Sequence, residues 1–419
     1  MITVAEAKKI LDKQAQQMLS FLPKTGRILP LTEVVGRITA EPISAPISVP
    51  LFDNSAMDGF AVRSADVKTA SPDCPVILKI DGEARAGDSL KELGEPQTTI
   101  RIMTGAPLPL NADAVVMKEE AVEKNGGVLL SRPVAAGKNV RRKGEDFNAG
   151  DEAIPVGTKI TPGVAGLMAS LGIRNVPVKP KPRVSVIATG CELVSCLEAL
   201  KPGKILESNS VFLKAALSEI GISPVRNAVI EDDPALIRER LVAAFEDCHQ
   251  VASDVIIITG GVSVGDHDHT RSVLEGLGVT QLFWKVAQKP GKPFYVGTLD
   301  KKGEKGEKLI FGLPGNPYAV FVCFYLYIHP ILLTLMGHPH PEPRRERLKL
   351  SRGIAKNDGR SHFLKGKTVQ KNNETLAWPL KGQGSHLLGA LTKTDILICV
   401  PAETREIKEG EEVEVVYLP

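Results

Sequence analysis

The chain has 419 residues, 43% hydrophobic and 24% charged. That is ordinary globular usage, which excludes a disordered, collagenous or coiled-coil polymer, and the length suits two to four domains. With 52 Lys and Arg against 49 Asp and Glu the formal charge is only +3, too little for a general nucleic-acid binder that must neutralise many phosphates, so any anion site is local. The 38 Gly and 30 Pro beside 5% aromatics imply many turns specified by backbone conformation.

Residues 4–22 place Ala7, Ile10, Leu11, Ala15, Met18 and Leu19 at helical spacing before Pro23, which predicts an amphipathic helix. From 43 to about 140, short β-branched runs at 76–80, 98–103, 114–117 and 128–130 alternate with Asp-Gly, Gly-Asp and Asn-Gly-Gly, the texture of a strand-and-turn module. Residues 161–171 (TPGVAGLMASL) predict a helix with a Thr cap and Pro in its first turn. The Pro- and Lys-rich stretch 176–182 (VPVKPKP) reads as a linker. Beyond it, strands at 184–188, 225–229 and 255–259 alternate with helices at 209–220, 234–248 and 270–277, which predicts βα units, a parallel sheet and ligands at the strand C-termini. After Gly337, strand-like runs at 347–350, 375–380, 396–400 and 412–417 predict a small β-barrel or sandwich.

Residues 318–336 (YAVFVCFYLYIHPILLTLM) approach membrane-spanning length. Pro330 divides them and Gly-Asn-Pro precedes them, so we expect a helix buried on all sides. The six cysteines show no CxxC or metal spacing, and the N-terminal residues lack a signal-peptide pattern. Both points suit a reduced, cytoplasmic compartment.

Four glycine-bearing loops end strands of the α/β segment, which points to a large, nucleotide-like ligand. In residues 256–268 (IIITGGVSVGDHD), Gly260 and Gly261 let backbone N–H groups approach an anion and Ser263 can donate a hydrogen bond. Asp266 and Asp268 on that loop are oxygen ligands of the kind Mg2+ prefers beside phosphate, while a capped, solvated turn is the structural alternative. His267 and His269 read as surface residues. Residues 285–293 (KVAQKPGKP) fix Lys285, Lys289 and Lys292 around a Pro-Gly hinge, an expected anion site. The GLPGNP loop carries Pro314 and Asn316, and ATGCEL brings Glu192 to the same sheet edge.

Elsewhere PLFDNSAMDGFA groups Asp53, Asn54, Ser55 and Asp58, with Gly59 read as a tight bend, and RIMTGAPLP supplies Thr104. The NVRRKGEDF segment mixes Arg141, Arg142 and Lys143 with Glu145 and Asp146. GRSHFLKG and GQGSH offer Arg360, Lys365 and Ser385, a cation and hydroxyl set suited to a small oxyanion. Asx-turns, a charged hinge or surface turns would account for these groups equally well.

Taken in order, PLFDNSAMDGFA, RIMTGAPLPLNADAVV, NVRRKGEDF, ATGCELV, TGGVSVGDHD, KPGKPF and GLPGNP cover nearly the whole chain and resemble the molybdopterin molybdenumtransferase family, the MoeA proteins and the E domain of gephyrin. The resemblance implies a multidomain α/β plus β protein. Its central doubly wound α/β domain would be like that of the molybdopterin adenylyltransferases, with β-rich N-terminal modules and a small C-terminal β-barrel. Expected domains are 1–45 with 145–180, 46–144, 181–336 and 337–419. The implied reaction takes adenylylated molybdopterin and molybdate, with a divalent metal such as Mg2+, to molybdenum cofactor and AMP. The implied state is a cytoplasmic homodimer in contact with the adenylyltransferase that supplies its substrate, without nucleic acid or membrane.

Carried over by position, Asp58, Thr104 and Asp146 belong to a cleft wall from the N-terminal modules. Glu192, Asp232 and Asp268 form the acidic, metal-holding side, with Asp268 foremost. Lys285, Lys289 and Lys292 hold phosphate or molybdate charge, and Arg360 and Ser385 match molybdate positions. Cys191 stands where the family commonly has an acidic or amide residue, and Phe60 where Tyr is common. The competing readings are an adenylyltransferase, which would lack the N-terminal 180 or so residues, and a gephyrin-like scaffold.

Overall fold

A computed structural model of the chain describes residues 1–21, 26–246, 252–262, 269–300 and 307–419. The first helix, Val4–Phe21, buries Ala7, Leu11, Ala15 and Met18 against the hydrophobic core of the α/β segment. Two short antiparallel pairings then join distant parts of the chain: Arg27–Pro30 with Asn175–Val178, and Ile43–Ser44 with Glu152–Ile154. The stretch expected as a linker is therefore half strand. Val176 and Val178 are fully buried, because alternate residues of VPV face a core that the prolines do not interrupt.

Between these pairings lies a six-stranded sheet, ordered Ala114–Met117, Gly59–Val62, Thr98–Ile102, Val76–Ala84, Gly127–Leu130, Ala121–Lys124. Gly59 is not a bend but the first residue of a central strand. A Cβ there would sit 1.9 Å from the Val116 carbonyl oxygen, so only glycine permits this strand approach.

The second six-stranded sheet runs Arg226–Ile230, Val184–Thr189, Val255–Thr259, Glu307–Leu313, Tyr295–Asp300, Thr280–Trp284. Its first four strands are parallel, Tyr295–Asp300 runs against them and Thr280–Trp284 runs against Tyr295–Asp300, so the sheet is mixed rather than wholly parallel. Helices Asn209–Glu219, Pro234–Phe245 and His269–Gly276 alternate with the parallel strands. The register Thr189↔Ile230, Ala188↔Thr259 and Thr259↔Leu313 brings four strand ends to one edge. The loops carrying Glu192, Asp232, Gly260, Gly261, Pro314 and Asn316 follow directly from that edge.

Asn316 caps the next helix by accepting from the Tyr318 N–H at 3.2 Å, with Pro317 at its first turn. Helix Pro317–Cys323 passes through a π-helical turn, Phe324–Ile328, into helix His329–Leu335. Pro330 removes one hydrogen bond and crowds the carbonyl four residues earlier, and the wider turn before it accommodates both effects. The 317–335 stretch is the one described helix long and apolar enough to cross a membrane, and 89% of its apolar window is buried inside the protein. It is a core helix, as its all-round apolarity predicts.

The C-terminal strands Ser361–Lys371, Glu374–Pro379, Arg345–Leu350, Glu412–Tyr417 and Ile396–Val400 close into a barrel, because Ser361–Lys371 also pairs with Ile396–Val400. Ser361–Lys371, the longest strand of the chain, occupies a stretch whose lysines and glycine suggested a turn. Strand Gln288–Lys289 adds in parallel to Ser361 and His362 and fastens the α/β segment to the barrel.

Candidate functional site

Three structural groups hold the residues singled out from the sequence. The first is N-terminal. Val140–Arg141 pairs with Asn54–Ser55, Gly105 N–H donates to the Ser55 carbonyl and Ala56 N–H to that of Asn139, so the three motif loops share one surface. Asp58 Oδ1 accepts from both the backbone N–H and the hydroxyl of Thr104, each at 2.8 Å. These bonds hold the carboxyl below its usual range. Arg142 and the Lys143 N–H bind Asp53 at 2.6 and 2.8 Å, and the Asp146 N–H donates to Val49 O, leaving Asp146 exposed. Phe60 is 2% exposed and belongs to the sheet core, so the absence of a hydroxyl there costs no contact with the loops.

The second group is the edge of the α/β sheet. Gly260 and Gly261 have φ of 93° and 62°. A Cβ on Gly260 would meet Thr189 O at 2.1 Å. One on Gly261 would meet Thr270 Oγ1 at 2.4 Å and both Asp232 Oδ1 and Thr189 Oγ1 at 3.1 Å. The glycines thus keep open a cradle walled by oxygen atoms. The buried hydroxyls of Thr189 and Thr270 have no hydrogen-bond partner among the described residues, and an all-oxygen donor set suits a hard divalent cation. Glu192 is exposed, with its carboxylate folded toward Gly190, and Cys191 is exposed with its carbonyl bound by Lys204. Ser263, Asp266, His267 and Asp268 lie outside the described residues. Among the described residues, no three His, Cys, Asp or Glu side chains assemble as a metal set.

The lysine loop divides. Lys285, at φ 76°, places its ammonium 3.9 Å from the centroid of Trp284, whose other cationic neighbour is Arg271 at 4.3 Å. Trp284 Nε1 donates to Val262 O at 3.1 Å, which keeps this pair of cations beside the glycine cradle. Lys289 and Lys292 face elsewhere, into the third group.

That third group is a cavity of about 930 Å3 between the sheet edge and the barrel. Lys289, Lys292, Pro314, Asn316, Arg360 and Ser385 all line it. Asn316 Nδ2 donates to Ser385 Oγ at 2.9 Å. Arg360 and His362 both bind Asp358, through Arg360 Nη2–Oδ2 at 2.6 Å and His362 Nε2–Oδ1 at 2.8 Å. Burial alone would raise the Asp358 carboxyl, but these bonds overcome it and hold the group well below the usual carboxylate range.

Lys365, expected among the oxyanion cations, does not line the cavity. It is fully buried, its ammonium donating at 3.0 Å to both Gly382 O and Gly384 O, 4.1 Å from the Tyr318 ring centroid. Strand alternation turns it inward, where it braces the Ser385 loop. Sequence reasoning missed Asp358, His362, Lys356 and Asn209. Asn209 Nδ2 bridges Thr259 Oγ1 and Gly315 O at 2.9 and 2.8 Å, tying two edge loops together. Only the run of polar residues in KNDGRSH marked the barrel side.

An oxygen-walled glycine cradle thus lies beside a cation-lined cavity between the sheet edge and the barrel. Family models extend the point. MoeA N-terminal region (domain I and II) matches residues 2–172, the probable molybdopterin binding domain 185–334, and MoeA C-terminal region (domain IV) 347–418. The molybdopterin molybdenumtransferase of Haemophilus influenzae is 35% identical over 96% of this chain and 97% of its own. That of Bacillus subtilis is 37% identical over 93% and 89%. The crystal structure of the molybdopterin biosynthesis moeA protein from Pyrococcus horikoshii OT3 superposes with a TM-score of 0.80 at 30% identity, covering 100% of both chains. The chain belongs to the MoeA family of molybdopterin molybdenumtransferases, a family of transferase enzymes.

Proposed function

We propose that this chain inserts molybdenum from molybdate into the dithiolene of adenylylated molybdopterin, with release of AMP. The observation that carries this reading is the convergence of the KPGKP loop, the GLPGNP loop and the barrel residues Arg360 and Ser385 on one cavity beside the glycine cradle. Molybdate is a tetrahedral dianion, and Lys289, Lys292, Arg360 and the Ser385 hydroxyl offer the charge and donors to hold it. The cradle at Gly260 and Gly261, with Lys285 and Arg271 close by, suits the phosphate portion of the nucleotide-bearing substrate.

Glu192, Asp232 and Asp268 are the proposed holders of Mg2+, and the oxygen-walled cradle that includes Asp232 is consistent with it. Held there, Mg2+ would supply charge neutralisation at phosphate oxygens. The Gly260 N–H is engaged by Leu313 O at 3.1 Å, so the protein's own part is to position the anhydride beside the cradle and to hold the oxyanion on fixed cations. Asp58, Thr104 and Asp146 supply the opposite wall, which we assign to the partner of a homodimer. Exposed Leu51, Phe52 and Met57 at that loop support a contact surface there. The divisions 1–45 with 145–180, 46–144, 181–336 and 337–419 are our proposed domains, supported by the sheet memberships.

The test is direct: purified protein with adenylylated molybdopterin, Mg2+ and molybdate should release AMP and yield active cofactor, and withholding molybdate or Mg2+ should stop it. No AMP under complete conditions would reject the transferase reading and favour a scaffold.

A further inference from the structure

Two imidazoles, His362 and His386, line the oxyanion cavity, and His362 is the one bonded to a carboxylate. His362 is 7% exposed, lines the cavity and donates through Nε2 to Asp358 Oδ1 at 2.8 Å when the ring is neutral. Its neighbours are named by the same geometry. Asp358 binds it directly, and Arg360 shares that carboxylate. Lys289 belongs to the strand paired with Ser361 and His362. Lys356 donates to the Asp358 carbonyl at 3.0 Å and to Ala402 O at 2.8 Å. Lys292 lines the same cavity. One carboxylate therefore faces a group of permanent cations.

We propose that entry of a tetrahedral dianion into this cavity is coupled to protonation of His362 at Nδ1, with Asp358 as the positioning residue for both the imidazolium and Arg360. The proposal rests on the oxyanion reading given above. In the anion-free cavity, burial is the main influence that lowers the His362 pKa, with Lys289 and Lys356 adding to it and Asp358 opposing. The ring is thus mostly neutral at pH 7, and its Nδ1 is a lone pair rather than a donor. A dianion held by Lys289 and Arg360 reverses the local field. It offsets the lysine charges and favours the imidazolium, which then donates from both nitrogens, one already fixed on Asp358. The step is an acid–base equilibrium: one proton is taken from buffer, Nδ1–H forms, and no covalent bond of the anion changes.

The sign follows from linkage. Because the pKa is lower in the free protein than in the complex, binding takes up a proton at pH values between the two. Affinity therefore rises as pH falls through that window, by up to about tenfold per pH unit for one proton. Asp358 makes this possible because its carboxylate is already ionised and stays so.

Isothermal titration of the full-length protein with sodium molybdate, and separately with sodium sulfate, at several pH values between 6 and 8.5 and in buffers of different ionisation enthalpy, tests it. The expected result is fractional proton uptake of up to about one per anion, with affinity increasing toward low pH. H362Q should bind both anions with a clearly smaller pH dependence and proton uptake, and H386Q should leave both as in the wild type. D358N should bind several-fold more weakly and take up less proton at the same pH, while its thermal midpoint confirms a folded barrel. Wild-type binding without proton uptake, or undiminished uptake in H362Q, overturns the proton coupling and leaves the oxyanion site standing. If neither anion binds the wild type, the oxyanion site and the proton coupling fall together.

Discussion

Asn316 and Ser385, 69 residues apart in sequence, are joined by a 2.9 Å hydrogen bond that ties the last loop of the α/β sheet edge to the barrel. Asn316 Oδ1 also accepts from the Tyr318 N–H and caps the core helix. One side chain thus ties a helix start to the wall of the cavity between the sheet edge and the barrel.

Replacing Asn316 with Ala should cost about 1 kcal/mol through the lost cap and weaken molybdate binding several-fold. Ser385→Ala, which loses the same hydrogen bond but not the cap, should cost less stability and also weaken binding. A double-mutant cycle on denaturant midpoints and anion affinity is expected to show coupling of roughly 0.5–1.5 kcal/mol. Additive effects would mean that the bond contributes nothing to the cavity.

Lys365→Met should destabilise the barrel by about 1–3 kcal/mol, since two partly buried carbonyls, Gly382 O and Gly384 O, lose their shared donor. The Ser385 loop would relax with them. Urea unfolding and molybdate titration check both consequences. Unchanged anion affinity in a folded variant would show that the loop keeps its shape without this brace.

His329 is 8% exposed, and burial, helped by His338, lowers its pKa to about 4. Its buried Nδ1 has no partner among the described residues. The unfolded chain binds a proton near pH 6.5 while the folded one resists until about 4. Stability should therefore fall progressively as pH drops from 6.5 toward 4, by up to roughly 3 kcal/mol. His329→Gln should flatten that part of a pH series of denaturation midpoints. An identical slope in the variant would place the acid sensitivity elsewhere.

Asp58→Asn keeps an oxygen to accept from Thr104 but removes the negative charge. AMP release should fall at least tenfold with little change in thermal midpoint. Thr104→Val, which retains the N–H bond to Asp58 and loses only the hydroxyl bond, should lose less. Equal losses would indicate that the loop shape, rather than the carboxylate charge, matters for turnover.

Much of this protein was legible in local pattern. Helical spacing marked Val4–Phe21, Thr161 and Pro162 marked the start of Pro162–Ser170, and β-branched runs marked Val184–Thr189 and Val255–Thr259. These elements are set by periodicity and caps, which act over a few residues. Ser361–Lys371 was hidden because its lysines break the alternation, Lys365 being buried by partners that the strand itself does not contain.

The sequence by itself determined most helices, the parallel strands and the residue types that could meet an anion. Only the tertiary structure decided which of them meet. Parallel register placed the Glu192, Asp232 and Gly260 loops at one edge. The pairing of Gln288–Lys289 with Ser361 and His362 sent Lys289 to the barrel cavity, while Trp284 held Lys285 at the glycine cradle. It also revealed Asp358 and His362 behind Arg360. Such choices depend on contacts between residues tens to hundreds of positions apart, whose free energy arises only when a shared core brings them together, and no local pattern encodes them.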